Sequence, residues 1–226
     1  MALILSIESA TKNCSVSLAR DGEVIAIREL SGEKFSHAEK LHTFVLEVMS
    51  DSDHELSDLE AVAVSKGPGS YTGLRIGVST AKGLCYALEV PLISVPTLES
   101  LARQVDCTEE AMIVPLLDAR RMEVYSAVFD SGHVRVRETR AEVIGPDSFA
   151  EFLDHGKVCF LGDGARKTRE LIHHPNAVFT DLRYPSSREM AALAETRFQN
   201  QEFEDLAYFE PYYLKDFIAG KPKRYF

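Results

Sequence analysis

Three things are scarce in this sequence. The first is paired cysteine: Cys14, Cys85, Cys107 and Cys159 stand far apart, with no C-x-x-C among them. That excludes a zinc ribbon or a dithiol redox motif and points to free thiols in a reducing cytosol. The second is a long apolar run. None approaches the roughly 18–20 residues of a membrane span. The opening residues, 1–8, carry no basic leader and are interrupted by Glu8, so they read as a first strand and not as a signal peptide. The third is positive charge. A formal net charge of −10 opposes tight nucleic-acid binding by this chain alone. The local exception, Lys221-Pro222-Lys223-Arg224, reads as a solvated, disordered end.

What is present is an ordinary globular composition, 45% hydrophobic and 27% charged over 226 residues, enough for one or two domains. The apolar pattern predicts strands over 4–7, 14–19 and 24–28, with a hairpin turn at Asp21-Gly22. The same meander recurs over 112–117, 123–129 and 134–137, with a turn at Ser131-Gly132. Glu8 is answered by Asp118, and Gly22 by Gly132. Such a repeat predicts two related domains, 1–106 and 107–226, with the boundary at 106–110. Ser36-His37-Ala38-Glu39 is a capping box before an apolar stripe of Leu41, Phe44, Val45, Val48 and Met49. Ser186-Ser187-Arg188-Glu189 opens a second such helix, with Met190, Leu193, Ala194 and Phe198 inward. Further strands are predicted over 61–64, 91–95 and 158–161, and helices over 72–88 and 97–103.

The most informative stretch is Ser65-Lys66-Gly67-Pro68-Gly69-Ser70-Tyr71-Thr72-Gly73-Leu74-Arg75-Ile76-Gly77. It is not a phosphate loop, because no Lys-Ser/Thr pair follows Gly73. It is a poor dinucleotide fingerprint, since its third glycine comes one place late. Ser70 does not sit in a G-x-S-x-G elbow. Two readings remain: a tight turn that starts a helix, or a backbone-lined surface, Gly67, Gly69 and Ser70, that meets a ligand or partner. Gly73, Gly77, Ala81 and Cys85 then recur every fourth residue. Helical glycine costs about 1 kcal/mol relative to alanine, so the stripe needs a compensating contact, from the chain's own core or from another subunit.

Glu8 and Asp118 each end a first strand, and Gly162-Asp163-Gly164-Ala165 follows another. These are candidate anion-facing loops, although the Asp118 copy is crowded by Arg120 and Arg121, and the Gly162 loop also reads as a strand-to-helix turn. His37 and His42 are five apart and share no helix face. His173-His174-Pro175 reads as the end of a helix, capping its last carbonyls. No metal set or nucleophile triad stands out.

Residues 4–11, Ile-Leu-Ser-Ile-Glu-Ser-Ala-Thr, resemble the opening strand of the actin/Hsp70/sugar-kinase (ASKHA) superfamily. Gly67 to Gly77 resembles the signature of the bacterial tRNA threonylcarbamoyladenosine biosynthesis family TsaB, also called YeaZ. The likeness extends through His37-Ala38-Glu39, Gly162-Asp163-Gly164-Ala165 and Pro211-Tyr212-Tyr213-Leu214-Lys215. It implies an α/β ASKHA fold of two related domains, each a mixed sheet flanked by helices. In the family's catalytic relative, TsaD, a His-x-x-x-His metal pair follows the strand that matches 92–95. Here those slots hold Thr97 and Leu101, which cannot replace imidazole. Glu8 stands where many members have Asp, Ala10 where a hydroxyl is common, and Lys215 where Arg is common.

The resemblance therefore implies a non-catalytic cytoplasmic subunit that supports N6-threonylcarbamoyladenosine modification of tRNA. It would bind no cofactor or metal alone, with ATP and metal on the partner subunits. Its partners would be a TsaD-like catalytic subunit and a TsaE-like ATPase, with a homodimer when the partner is absent and tRNA met only indirectly. The implied partner face lies on the helices 36–49 and 72–88, at His37, Leu41, Val48, Gly73, Gly77 and Ala81. Glu8, Gly67, Gly69, Ser70, Asp118, Gly162 and Gly164 would be a vestigial anion or nucleotide site. The alternatives are an ASKHA-type small-molecule kinase or ATPase using Glu8 and Asp118, and a metallopeptidase-like enzyme, which lacks visible ligands.

Overall fold

The computed structural model describes residues 2–32, 37–107, 111–182 and 184–215. Ser36 of the first capping box, residues 108–110 at the expected boundary and the basic run 221–224 lie outside the described residues.

The first sheet is built from β1 (Leu3–Glu8), β2 (Asn13–Arg20), β3 (Glu23–Ser31), β4 (Ala61–Gly67) and β5 (Leu92–Pro96), in the order β3-β2-β1-β4-β5. Its first three strands are an antiparallel meander, and β4 and β5 add in parallel to β1. The second sheet repeats the plan with β6 (Met112–Asp118), β7 (Glu123–Phe129), β8 (Arg135–Val143), β9 (Val158–Leu161) and β10 (Ala177–Phe179), in the order β10-β9-β6-β7-β8. The repeat read from the sequence is thus a repeat of topology: each half carries a mixed five-stranded sheet of the same order.

β1 and β4 are central and buried on both faces, which is why they read as nearly continuous apolar runs. Alternation still sorts their residues. Leu3, Leu5, Ile7, Val62 and Val64 face the helices α1 (His37–Asp51) and α2 (Tyr71–Leu88). Ala2, Ile4, Ala61 and Ala63 face the opposite way, toward Met190, Leu193 and Ala194. α2 ends where Glu89 turns left-handed, at φ 57°.

Those last three side chains correct the expected domain division. They lie on α6 (Ser187–Gln199), which returns from the second half to cover the first sheet. Asn13 Nδ2 donates to Pro185 O (3.0 Å), and the Ser15 and Ser187 hydroxyls share a 2.7 Å bond. The second sheet is instead carried by residues 111–182. α3 (Thr97–Ala102) is the joint, with Leu98, Leu101 and Ala102 packed on Ile113, Leu117 and Leu161. Ser186 caps α6, but its hydroxyl accepts from Arg188 N, while Glu189 takes a bond from Gln104.

Other differences are local. Asp21 and Gly22 are both left-handed (φ 53° and 80°), as a two-residue hairpin turn requires. In the second half the turn is longer: Asp130 N–H bonds Val134 O, and the left-handed residue is His133, not Gly132. The short helix α4 (Ala150–Leu153) and strand β10 add elements that the pattern did not predict, while α5 (Ala165–Arg169) is the helix entered from the Gly162 turn. His173 and His174 lie beyond α5, and His174 Nδ1 accepts from Asn176 N, so they cap no helix. All four cysteines are free. Among the described residues no helix is long and apolar enough to cross a membrane.

Candidate functional site

The β1–β2 turn is pressed against the first turns of α2. A Cβ on Gly73 would collide with Ser9 O, and one on Gly77 with Ser9 Oγ. One on Gly69 would lie 2.5 Å from Ala10 O, and Ser70 N–H donates to that same carbonyl at 2.6 Å. The open question about the glycine stripe is answered here: its compensating contact is the chain's own hairpin.

That finding corrects the implied partner face. His37, Leu41, Val48, Gly73, Gly77 and Ala81 are all buried inside the chain. They form the inward stripes of α1 and α2, filled by the sheet and the hairpin. His37 Nε2–H donates to Thr11 O (2.7 Å), and burial pushes its pKa down. The outward faces carry other residues, among them His42, Thr43 and Leu46 on α1 and Thr72, Ser79, Gly83 and Tyr86 on α2. Leu46 is 62% exposed and Tyr86 81%.

Glu8 points into the fold and is fully buried. Its Oε1 accepts from Ala10 N (2.6 Å) and Ser65 Oγ (2.9 Å). Its Oε2 has no hydrogen-bond partner among the described residues. Burial lifts its pKa to about 7; the bonds from Ala10, Ser65 and Ser9 pull it back, and the Glu189 charge adds a little upward. The glycine loop is equally committed. Gly67 N–H donates to Thr97 Oγ1 (3.1 Å), Gly73 N–H to the N-cap Ser70 Oγ (3.3 Å), and Leu74 N–H to Ser70 O (2.9 Å). These N–H groups do not face an anion.

The second-half loop is closed by a lysine that the sequence reading passed over. Lys167 Nζ donates to Asp118 Oδ1 (2.6 Å), Glu123 O (2.6 Å) and Arg121 O (2.9 Å). Asp118 Oδ1 also takes Arg120 N (2.7 Å), and Asp118 N–H donates to Asp163 Oδ1 (2.8 Å). Burial lifts the Asp163 pKa to about 6; the Asp118 N–H pulls it down, the Asp118 charge raises it, and Lys167 and Lys12 lower it. Gly162 N–H and Gly164 N–H are spent on Leu182 O (2.7 Å) and Leu116 O (3.0 Å). Gly162 must be glycine: at φ 99° any Cβ would run into Leu116 O.

The structure thus groups Glu8 with Gly69 and Ser70, and Asp118 with Gly162 and Gly164. Lys12, on the β1–β2 turn, bears on the second group through its charge, which lowers Asp163. Sequence spacing held one signal for Lys167, since Asp163 and Lys167 are four apart on a turn that enters a helix. The two slots that matter most for metal, Thr97 and Leu101, are buried, and Leu101 lies in the core under the second sheet. Among the described residues no group of three His, Cys, Asp or Glu side chains is placed to hold a metal ion.

Comparison with known proteins places the chain among those of tRNA threonylcarbamoyladenosine biosynthesis. A family model described as TsaD, tRNA N6-adenosine threonylcarbamoyltransferase, matches residues 33–223. The tRNA threonylcarbamoyladenosine biosynthesis protein TsaB of Escherichia coli K12 is 32% identical over 226 residues, covering 96% of each chain. TsaB of Bacillus subtilis 168 is 33% identical over 180 residues, 75% of this chain and 74% of that one. The solved structure of YeaZ from Pseudomonas aeruginosa superposes with a TM-score of 0.77 at 24% identity, over 95% of this chain and all of that one, a likeness of fold.

Proposed function

The chain belongs to the TsaB family of tRNA threonylcarbamoyladenosine biosynthesis proteins, and on that premise we propose that it serves the modification as a subunit without a catalytic centre of its own. The observation that carries this reading is the fate of the two metal slots. Thr97 spends its hydroxyl on the Gly67 N–H, and Leu101 is core. Neither brings an imidazole to a surface. The buried Glu8 and the lysine-filled Asp118 turn support the same reading.

In this proposal the chain pairs with a TsaD-like catalytic subunit, works with a TsaE-like ATPase in the cytoplasm, and leaves ATP, metal and tRNA to its partners. The outward faces of α1 and α2, with Leu46 and Tyr86 exposed, dock the catalytic subunit and form a homodimer in its absence. Reconstitution tests it: the modification is assayed with partner enzymes, with and without this chain. Leu46→Asp is expected to abolish support with unchanged circular dichroism. Full support from that variant would reject the face, and full modification without this chain would reject the role. The kinase reading is separated by Mg-ATP binding to the isolated chain, lost on Asp118→Ala; stoichiometric binding would favour it over ours.

A further inference from the structure

Residues 203–215 form no helix, and their one ladder contact is a bridge between Glu204 and Leu92, yet they are held along their whole length. Glu204 N–H donates to Leu92 O (2.9 Å). Leu206 and Phe209 lean on the first core. Lys82 Nζ donates to the carbonyls of Ala207 and Phe209, both at 3.2 Å. Tyr212 N–H donates to Lys66 O (2.7 Å). The Tyr213 ring lies 4.9 Å from that of Tyr71, and its hydroxyl accepts from Arg75 Nε (3.2 Å). Lys215 then reaches the other half, where it pairs with Glu123 at the start of β7.

The receiving side is the glycine loop itself. Gly67 sits at φ 111°, and a Cβ there would lie 2.8 Å from Tyr212 O. Lys66, Gly67, Tyr71 and Arg75 on one side and Tyr212 and Tyr213 on the other are therefore two halves of one contact. The sequence presents them as separate motifs.

We infer that residues 203–215 are a latch. It is hinged at Glu204, keyed into the glycine loop by Tyr212 and Tyr213, and fastened by Lys215 to Glu123 of the second sheet. Apart from Leu206 and Phe209, which are partly buried against the first core, its anchors are backbone carbonyls and surface side chains. Tyr208 is 84% exposed, and Phe203 and Tyr212 are also exposed. A segment with so little buried apolar surface opens without unfolding the sheets beneath it. The inference needs no partner and stands apart from the proposed function.

Hydrogen exchange on the full chain tests it. In Tyr213→Ala the Tyr212 amide should exchange at least about tenfold faster, and Glu204, at the hinge, should stay protected. The Ala119 and Glu123 amides of the β6–β7 turn, where Lys215 is fastened, should quicken too, while β1 and β6 do not. An unchanged Tyr212 amide overturns the latch. Lys215→Ala, which touches only a surface ion pair, is run beside it in case the first variant unfolds. It must quicken Ala119 and Glu123 and spare Glu204; failure overturns the fastening to the second half.

Discussion

Replacing Glu8 by glutamine should make this protein more stable above neutral pH. The carboxyl is fully buried, with one oxygen bonded to Ala10 and Ser65 and the other without a partner. Its pKa is raised from 4.5 to about 7. The native state therefore keeps a proton that the unfolded chain releases. Below 4.5 both states are protonated, and the group adds no pH dependence. Between 4.5 and about 7 stability falls as pH rises, and above about 7 the loss is complete. A shift of this size corresponds to about 3 kcal/mol. Glutamine keeps the acceptor at Oε1 and places an NH2 where the neutral acid has its hydroxyl, so it imitates the protonated form at every pH. Glu8→Gln should match wild type near pH 4.5 and lead it by about 2–3 kcal/mol at about pH 8, or roughly 5–10 °C in Tm for a chain of this length. Urea melts of both proteins at several pH values and fixed ionic strength measure this directly. Parallel pH profiles, or a glutamine variant weaker than wild type at about pH 8, would refute the argument that the charge is held against its desolvation.

Two glycines of α2 should answer alanine in opposite ways. Gly77→Ala drives a methyl into Ser9 Oγ and should cost about 1–3 kcal/mol. Gly83→Ala meets nothing within 4 Å and should gain up to about 1 kcal/mol; equal effects in urea melts would show that the hairpin does not fill the stripe. Lys167→Met removes the cation that lowers Asp163, whose pKa should then rise above its present value of about 6. Carboxyl NMR titration reads the change, and a fall would contradict the assigned closure of the turn.

Most of the first half could be read from the residues, because its elements are long and periodic. α2 spans five turns and ends at Leu88 as expected, and the meander repeats in the right order. That Thr97 and Leu101 cannot stand in for imidazole ligands could be read from side-chain chemistry alone. Three things could not be read. α4 and β10 are four and three residues long, too short for a period to show. Periodicity tells which face of a helix is covered and not what covers it, so the stripe of Gly73 and Gly77 left its occupant open. The lysine cage at Asp118 and the Tyr213 contact join residues far apart in sequence; the spacing of Asp163 and Lys167 hints at the lysine but not at Asp118, and no local pattern announces the tyrosine.

The return of α6 to the first sheet carries a consequence for how the polypeptide reaches its native state. Ile4, Ala61, Ala63, Ile93 and Val95 are made early, but the surface that shields them is the last helix of the described chain. During synthesis this greasy side waits uncovered until residues 187–199 have left the ribosome, and any fragment ending before them carries it bare. Long-range closure of this kind slows folding.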